Sequence, residues 1–265
     1  MPQVKTEEYL MYQLSHVKVI RDERTILDIE QLNIDPHALT VVLGHNGSGK
    51  STLVNLLANQ FQPEAGEITL DNQPLKKYSA KELARTVAYL PQKLPEVAGL
   101  NVSELVRLGR FPWRGTLGRW RDEDQQIIEK AMAETGVTEF KDALADQLSG
   151  GERQRTWVAM LLAQQAKMMI LDEPTSALDI QHQYQLMDLL SRLNKETGVG
   201  VIVILHDLNL ALRFATQIVA LKKGQIAFQG DTDILLDEAL LSDLYATPVT
   251  LVDHPNKPHK VAIVC

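Results

Sequence analysis

A chain of 265 residues has room for one large domain or two small ones and for a sizeable buried core. Its 27 basic against 34 acidic residues leave a net charge of −7, which argues against a protein that coats nucleic acid, and 45% apolar with 23% charged content excludes a disordered or fibrous chain. A single cysteine, Cys265, fits a reducing compartment; MPQVKTEEYL is not a secretory signal, and apolar runs such as Met168–Leu171 fall far short of the ~20 residues of a membrane helix, so a cytosolic chain is expected.

Taken in order, short apolar runs at 40–43, 66–70, 87–90, 168–171, 201–205 and 217–221 read as strands, each apolar or β-branched. Continuous apolar strands point to a sheet buried on both faces, as parallel sheets are. Helix-length stretches lie between them. Leu186, Leu189, Leu190 and Leu193 follow the i, i+3, i+4, i+7 spacing of one amphipathic face. Residues from about Lys93 to Leu148 carry no convincing strand; helical patterns at 102–108 and 122–135 flank an Arg- and aromatic-rich segment at 110–120, read as a loop. The last dozen residues, with Pro255 and Pro258, read as a surface tail or edge structure. The expected fold is α/β with a mainly parallel sheet and one domain over 1–265. Its core spans about 1–92 and 165–265, with a helical subdomain inserted at about 93–164.

The strand at 40–43 runs into Gly44, His45, Asn46, Gly47, Ser48, Gly49, Lys50, Ser51 and Thr52, then into a helical stretch. This is G-x-x-x-x-G-K-[ST] between a strand and a helix, the context that a P-loop requires. The glycines let successive N–H groups turn toward phosphate, and the helix N-terminus adds partial positive charge. Lys50 is a mobile charge for the β- and γ-phosphates, and the Ser51 hydroxyl is placed to ligate Mg²⁺. His45 occupies a variable position and reads as a solvent-facing loop side chain.

A second run, Met168-Met-Ile-Leu-Asp-Glu-Pro174, is a buried strand with Asp172 and Glu173 at its C-terminal end, where ligands sit in open α/β sheets. Alone this pair reads equally as a structural ion pair. After a P-loop, Asp172 is a Mg²⁺ ligand through water and Glu173 a general base for the attacking water. A third run, Leu148-Ser-Gly-Gly-Glu-Arg-Gln-Arg155, opens a helix through the capping box Ser149-x-x-Glu152. A plain helix start explains the cap but not Gly150 and Gly151, which cost helix stability, so approach of an anion is the more economical reading. Since the P-loop already holds one ATP, this second receptor suggests ATP held by another copy.

At these residues the chain resembles the nucleotide-binding subunits of ABC transporters over nearly its whole length. That resemblance implies the P-loop NTPase fold of an ABC ATPase, with ATP and Mg²⁺ as its cofactors. Gln92 would be the Q-loop residue that touches Mg²⁺ and water, Asp179 the D-loop residue at the dimer seam, and His206 the switch histidine at the γ-phosphate. The family usually offers adenine an aromatic ring; here residues 17–23 contain none, and Arg21 reads equally as a guanidinium plane stacked on the base and as an exposed turn arginine. The resemblance further implies a head-to-tail dimer with a second copy, inner-membrane permease subunits, and indirectly a periplasmic or surface siderophore-binding protein, with no nucleic acid. The chain would then sit on the cytoplasmic face of the bacterial inner membrane.

A single short cassette with the 110–120 segment looks like the ATPases of bacterial iron–siderophore importers, most similar to the ferric-hydroxamate subgroup. Vitamin B12, haem and catecholate importers share the architecture and remain open. Soluble ABC ATPases of translation carry two cassettes, and those of DNA repair carry long coiled coils; a P-loop kinase or GTPase would lack LSGGE. Five arginines between Arg107 and Arg121, with Phe111, Trp113 and Trp120, have the composition of an interface hot spot, so this segment is expected to dock on the permease. The same composition also suits tryptophans packed on the segment's own helices.

Overall fold

The computed structural model describes residues 11–114, 119–256 and 259–264. The N-terminal decapeptide, residues 115–118 of the Arg-rich segment, Pro258 and Cys265 lie outside the described residues.

The first part of the chain forms β1 (Tyr12–Arg21), β2 (Arg24–Ile34), β3 (Leu39–Leu43), α1 (Lys50–Leu57), β4 (Ala65–Leu70), β5 (Gln73–Pro74), α2 (Ala80–Thr86) and β6 (Val87–Leu90). Helices follow: α3 (Val102–Arg107), α4 (Phe111–Arg114), α5 (Asp122–Glu134) and α6 (Gly150–Gln164). Then come β7 (Met168–Leu171), α7 (Ile180–Thr197), β8 (Gly200–Ile204), α8 (Leu208–Phe214), β9 (Gln217–Lys222) and β10 (Gln225–Asp231). The chain closes with α9 (Glu238–Tyr245), β11 (Val249–Asp253) and β12 (Lys260–Val264).

The central sheet has the order β10-β9-β3-β8-β7-β6. Its strands pair in parallel from β9 through to β6, and β10 closes one edge antiparallel to β9. Period-two geometry explains why these strands are apolar throughout: alternate residues feed two different cores. Val41, Leu43, Met169, Leu171, Val201 and Val203 enter the core shared with α6 and α7. Val42, Met168, Ile170, Ile202 and Ile204 enter the core shared with α1. On α7, Leu186, Leu189, Leu190 and Leu193 are all buried, as their spacing requires. Asp179 caps that helix at its N-terminus, and Gly198 ends it in the left-handed region, φ 72°.

The strand expected at 66–70 belongs elsewhere. As β4 it pairs antiparallel with β1, in a separate sheet of order β2-β1-β4-β5. Its cause is visible in the sequence: in Gly66-Glu-Ile-Thr-Leu70 only Ile68 and Leu70 are buried, an alternation suited to a half-covered antiparallel strand. The long hairpin β1–β2 turns at Asp22 and Glu23, both with positive φ (48° and 63°), as a tight hairpin requires. Without glycine there, the turn leaves little local signal. Tyr12 donates its hydroxyl hydrogen to Leu57 O at 2.7 Å and so ties this sheet to the end of α1. Helix α1 is thereby held between the two sheets, and the P-loop with it.

Between β6 and β7, α3, α5 and α6 pack around Val102, Val106, Ile128, Met132, Val137, Ala159 and Ala163. The 110–120 segment does not begin as a loop: a 3-10 turn at Leu108–Arg110 continues into α4. Arg110 is buried at 5% exposure, bonded to Asp124 Oδ1 (2.9 Å), Ala163 O (2.9 Å) and Gln165 Oε1 (2.8 Å). Trp113 donates to Gln164 O at 2.6 Å, and Trp120 lies between the guanidinium groups of Arg107 (4.1 Å) and Arg114 (3.5 Å). Much of the Arg and Trp content therefore holds this segment onto its own helices. The C-terminal stretch is an edge structure, with β12 paired antiparallel to β11.

Candidate active site

Four parallel strands deliver the site from their C-terminal ends. The P-loop follows β3, Gln92 follows β6, Asp172 and Glu173 follow β7, and His206 follows β8. The register aligns these ends, since Leu90 pairs with Leu171, Leu171 with Val203, and Val42 with Ile204. Residues far apart in the chain thus meet at one edge of the sheet.

Within the P-loop, Gly44 adopts φ 144°, and a Cβ there would collide with Leu221 O of the neighbouring strand. Gly49 adopts φ 102° and closes on Leu27 of β2, where a Cβ would lie 2.6 Å from Cδ2. Asn46 and Gly47 are exposed at the loop tip, while His45 Nδ1 lies 2.7 Å from Asn46 O. Lys50 is buried at 5% exposure, and its Nζ donates to Gly44 O (2.8 Å) and His45 O (3.1 Å). Burial pulls the Lys50 pKa down, against the opposing pull of the Glu173 and Asp172 carboxylates. Ser51 and Thr52 occupy the first turn of α1, half-buried.

Ser51 Oγ donates to Asp172 Oδ1 at 3.1 Å. Burial raises the Asp172 pKa; the Ser51 hydrogen bond opposes the shift and the Glu173 charge adds to it. Glu173 is a non-glycine residue with φ 49°, a conformation that costs about 1–3 kcal/mol and is typical of residues held for function. Both its carboxylate oxygens are engaged. Gln92 Nε2 donates to Oε2 at 2.7 Å, and His206 Nε2 lies 2.8 Å from Oε1. A carboxylate only accepts, so the His206 proton sits on Nε2.

The run Leu148–Arg155, the signature run, is separate from this constellation. Ser149 N donates to Glu152 Oε2 at 2.9 Å, and Glu152 N donates to Ser149 Oγ at 3.4 Å, which realises the expected capping box. A side-chain hydrogen bond from Ser149, followed by the one from its backbone N–H, holds the Glu152 carboxyl below its usual pKa. Among the described residues no hydrogen bond or ion pair joins Ser149–Glu152 to the P-loop of the same chain. Ser149 and Gly150 are exposed. Gly151 has a packing reason that the sequence did not supply: a Cβ would lie 2.7 Å from His182 Cδ2. Asp179 lies in the exposed stretch just before α7, and Ile180 beside it is 74% exposed. Arg21 donates to Glu64 Oε1 at 2.6 Å and lays its guanidinium 4.7 Å above the Phe61 ring, so one of its faces is already covered.

Two supporting residues escaped the sequence reading. Tyr89 on β6 donates to Asn55 Oδ1 (3.1 Å), and Asn55 Nδ2 donates to Ser51 O (2.6 Å), linking the strand before Gln92 to the P-loop helix. Burial and the Asp172 charge push the Tyr89 pKa up to about 12, so this hydroxyl remains a donor. The Ser51/Asn55 spacing of i, i+4 was legible; its link to Tyr89 was not.

The site suits a polyphosphate. Lys50 Nζ has three N–H bonds and spends two on loop carbonyls, and Ser48 Oγ is buried without a hydrogen-bond partner among the described residues. Comparison with known proteins points the same way. Residues 27–176 match the ABC transporter family. The chain is 43% identical over 223 residues to the petrobactin import ATP-binding protein FpuD of Bacillus anthracis, covering 84% of this chain and 82% of the relative. It is 40% identical to the ferric enterobactin transport ATP-binding protein FepC of Escherichia coli strain K12 (87% and 85% covered). It is 39% identical to the iron(3+)-hydroxamate import ATP-binding protein FhuC of Bacillus subtilis strain 168 (89% and 88% covered). Among solved structures, a bacterial ABC transporter cassette determined as a dimer superposes with a TM-score of 0.74 at 29% identity, covering 84% of this chain and 99% of that one.

Proposed function

The chain belongs to the ABC transporter family, and from that premise we propose that it is the ATP-hydrolysing subunit of a bacterial importer for ferric siderophores, the ferric hydroxamates first among them. One observation carries the enzymatic part: Gln92 and His206, from two different strands, both bond to the Glu173 carboxylate beside the Ser51–Asp172 pair. Glu173 then takes the proton from the attacking water, His206 and Gln92 fix the plane of its carboxylate, and Lys50 with the loop N–H groups holds the phosphates. Arg21 is the candidate adenine contact, through the face opposite Phe61.

The oxygen pair Ser51 Oγ and Asp172 Oδ1, with Gln92 nearby, suits Mg²⁺, which takes few protein oxygens and completes its shell with phosphate and water. The described residues hold no group of three or more His, Cys, Asp or Glu side chains that would form a protein cage for a metal. When bound, Mg²⁺ would neutralise charge on the β- and γ-phosphate oxygens.

Two copies associate head to tail, and Ser149–Glu152 of one copy completes the site on the P-loop of the other. The separation of that run from its own P-loop supports this arrangement, as does the 74% exposure of Ile180 next to Asp179. Residues 93–164 form the helical subdomain that passes closure to two permease subunits. No described helix is long and apolar enough to cross a membrane, so attachment to the inner membrane is assigned to the permease, which receives cargo from a periplasmic or surface binding protein.

Cargo is read by association. The three importer relatives at 43, 40 and 39% identity act on different iron complexes by name, and the hydroxamate choice rests on the sequence resemblance alone. A gene deletion tests it. Loss of ferric hydroxamate uptake, restored by the wild-type gene and not by Glu173→Gln, is the expected result. Normal hydroxamate uptake with lost uptake of a catecholate siderophore, haem or vitamin B12 moves the cargo to that compound.

A further inference from the structure

We propose that His182 is a positioning residue that locks Asp179 to Gly151, so that the D-loop and the signature loop of one copy meet the partner's nucleotide as a single rigid unit. This inference rests on the composite-site reading above. A helix N-cap needs only the backbone bond, and Asp179 Oδ1 has it, accepting from His182 N at 2.9 Å. The same oxygen also lies 2.8 Å from His182 Nδ1. That second bond is not needed for capping. It fixes the plane of a carboxylate whose side chain is otherwise 67% exposed and free to rotate, and it leaves Oδ2 pointing in one direction.

The other side of the ring touches the signature loop. A Cβ on Gly151 would lie 2.7 Å from Cδ2 and 3.1 Å from Nε2 of His182, so only glycine permits this approach. Gly150, by contrast, has nothing nearer than Ala177 O at 3.8 Å. Since the carboxylate can only accept, Nδ1 carries the proton, and the ring is held in one orientation against Gly151. Two loops that are 28 residues apart in sequence (Gly151 and Asp179) are thus joined through one imidazole. The paired donors also hold the Asp179 carboxyl below its usual pKa, so it stays ionised.

The test measures steady-state ATP hydrolysis and nucleotide affinity on the full chain carrying His182→Ala, His182→Asn, Asp179→Ala or Asp179→Ala with His182→Ala. The expected result is a fall in kcat of about ten- to a hundredfold for His182→Ala, from misplacement of groups around the partner's nucleotide, with nucleotide Kd unchanged. His182→Asn, whose side-chain amide places a donor near the position of Nδ1, recovers most of the loss. The double variant is no slower than Asp179→Ala alone. The proposal falls, with the composite site standing, if His182→Ala turns over normally while Asp179→Ala does not. It falls equally if the two losses multiply, or if His182→Asn is as slow as His182→Ala. Normal turnover in both single variants overturns this inference and leaves the composite site to the Ser149→Arg test.

Discussion

His206 Nε2 lies 2.8 Å from Glu173 Oε1, so the residue after β8 grips the residue after β7. With Gln92 on the other oxygen, the carboxylate is held by two donors, on a residue whose backbone lies in the left-handed region at φ 49°. In Glu173→Gln the amide has one acceptor for these two donors and cannot take a proton from water. Turnover is expected to fall by about 10²–10⁴ while ATP binding persists. The variant should accumulate as an ATP-bound dimer in size-exclusion chromatography. Wild-type turnover would remove Glu173 from the base role.

Asp172 trades stability for function. Its pKa is raised above the ordinary 3.8, mainly by burial, so the fold holds this proton more tightly than the unfolded chain does. Its contribution to stability is therefore present below pH 3.8 and is lost as pH rises through the raised folded pKa. Asp172→Asn keeps an acceptor for Ser51 Oγ and removes the buried charge. Nucleotide-free protein should melt about 2–4 °C higher than wild type at neutral pH, a gain that shrinks toward zero on acidification. Hydrolysis should be lost at the same time. An unchanged or lowered melting temperature at neutral pH refutes the trade.

Ser149 and Lys50 are expected to fail in different ways. Ser149→Arg puts bulk and charge on an exposed loop without disturbing the P-loop, so nucleotide should bind while hydrolysis stops. Lys50→Ala removes a buried charge-assisted donor and should weaken nucleotide affinity about ten- to a hundredfold, equivalent to about 1.5–3 kcal/mol. A mixture of the two variants contains heterodimers with one intact composite site. Partial recovery of hydrolysis on mixing supports the composite site; full activity of Ser149→Arg by itself contradicts it.

Arg110 and Arg119 separate structure from surface in the Arg-rich segment. Arg110 is buried against Asp124 Oδ1 at 2.9 Å, whereas Arg119 is exposed. Arg110→Ala leaves Asp124 with Arg114 Nε at 3.8 Å and the Arg121 N–H at 3.3 Å but takes the donor from Ala163 O and Gln165 Oε1, and should cost about 1–3 kcal/mol in urea unfolding. Arg119→Ala should stay within about 0.5 kcal/mol of wild type. Equal effects would mean that Arg110 is not the anchor of α4.

The chemistry of this protein was legible from short stretches of sequence. Phosphate binding needs a particular run of glycines, Lys50 and Ser51 directly after a strand; such runs are local and survive without any knowledge of the fold. Continuous apolar strands likewise announced a sheet buried on both faces, and Ser149 with Glu152 announced a helix start. What meets what was decided only in three dimensions. Gln92 and His206 are separate residues in the sequence and become partners of Glu173 because β6, β7 and β8 lie side by side with aligned ends. Nothing beside Arg110 in the sequence marks it as buried, because its partner, Asp124, lies beyond the segment that contains it. The β1–β2 hairpin left little signal because its Asp22–Glu23 turn lacks glycine; pairing with β4, far along the chain, is what makes it a sheet. Local spacing fixes which groups a helix or loop presents, but strand order and register are non-local, set by the burial of faces that no single stretch contains.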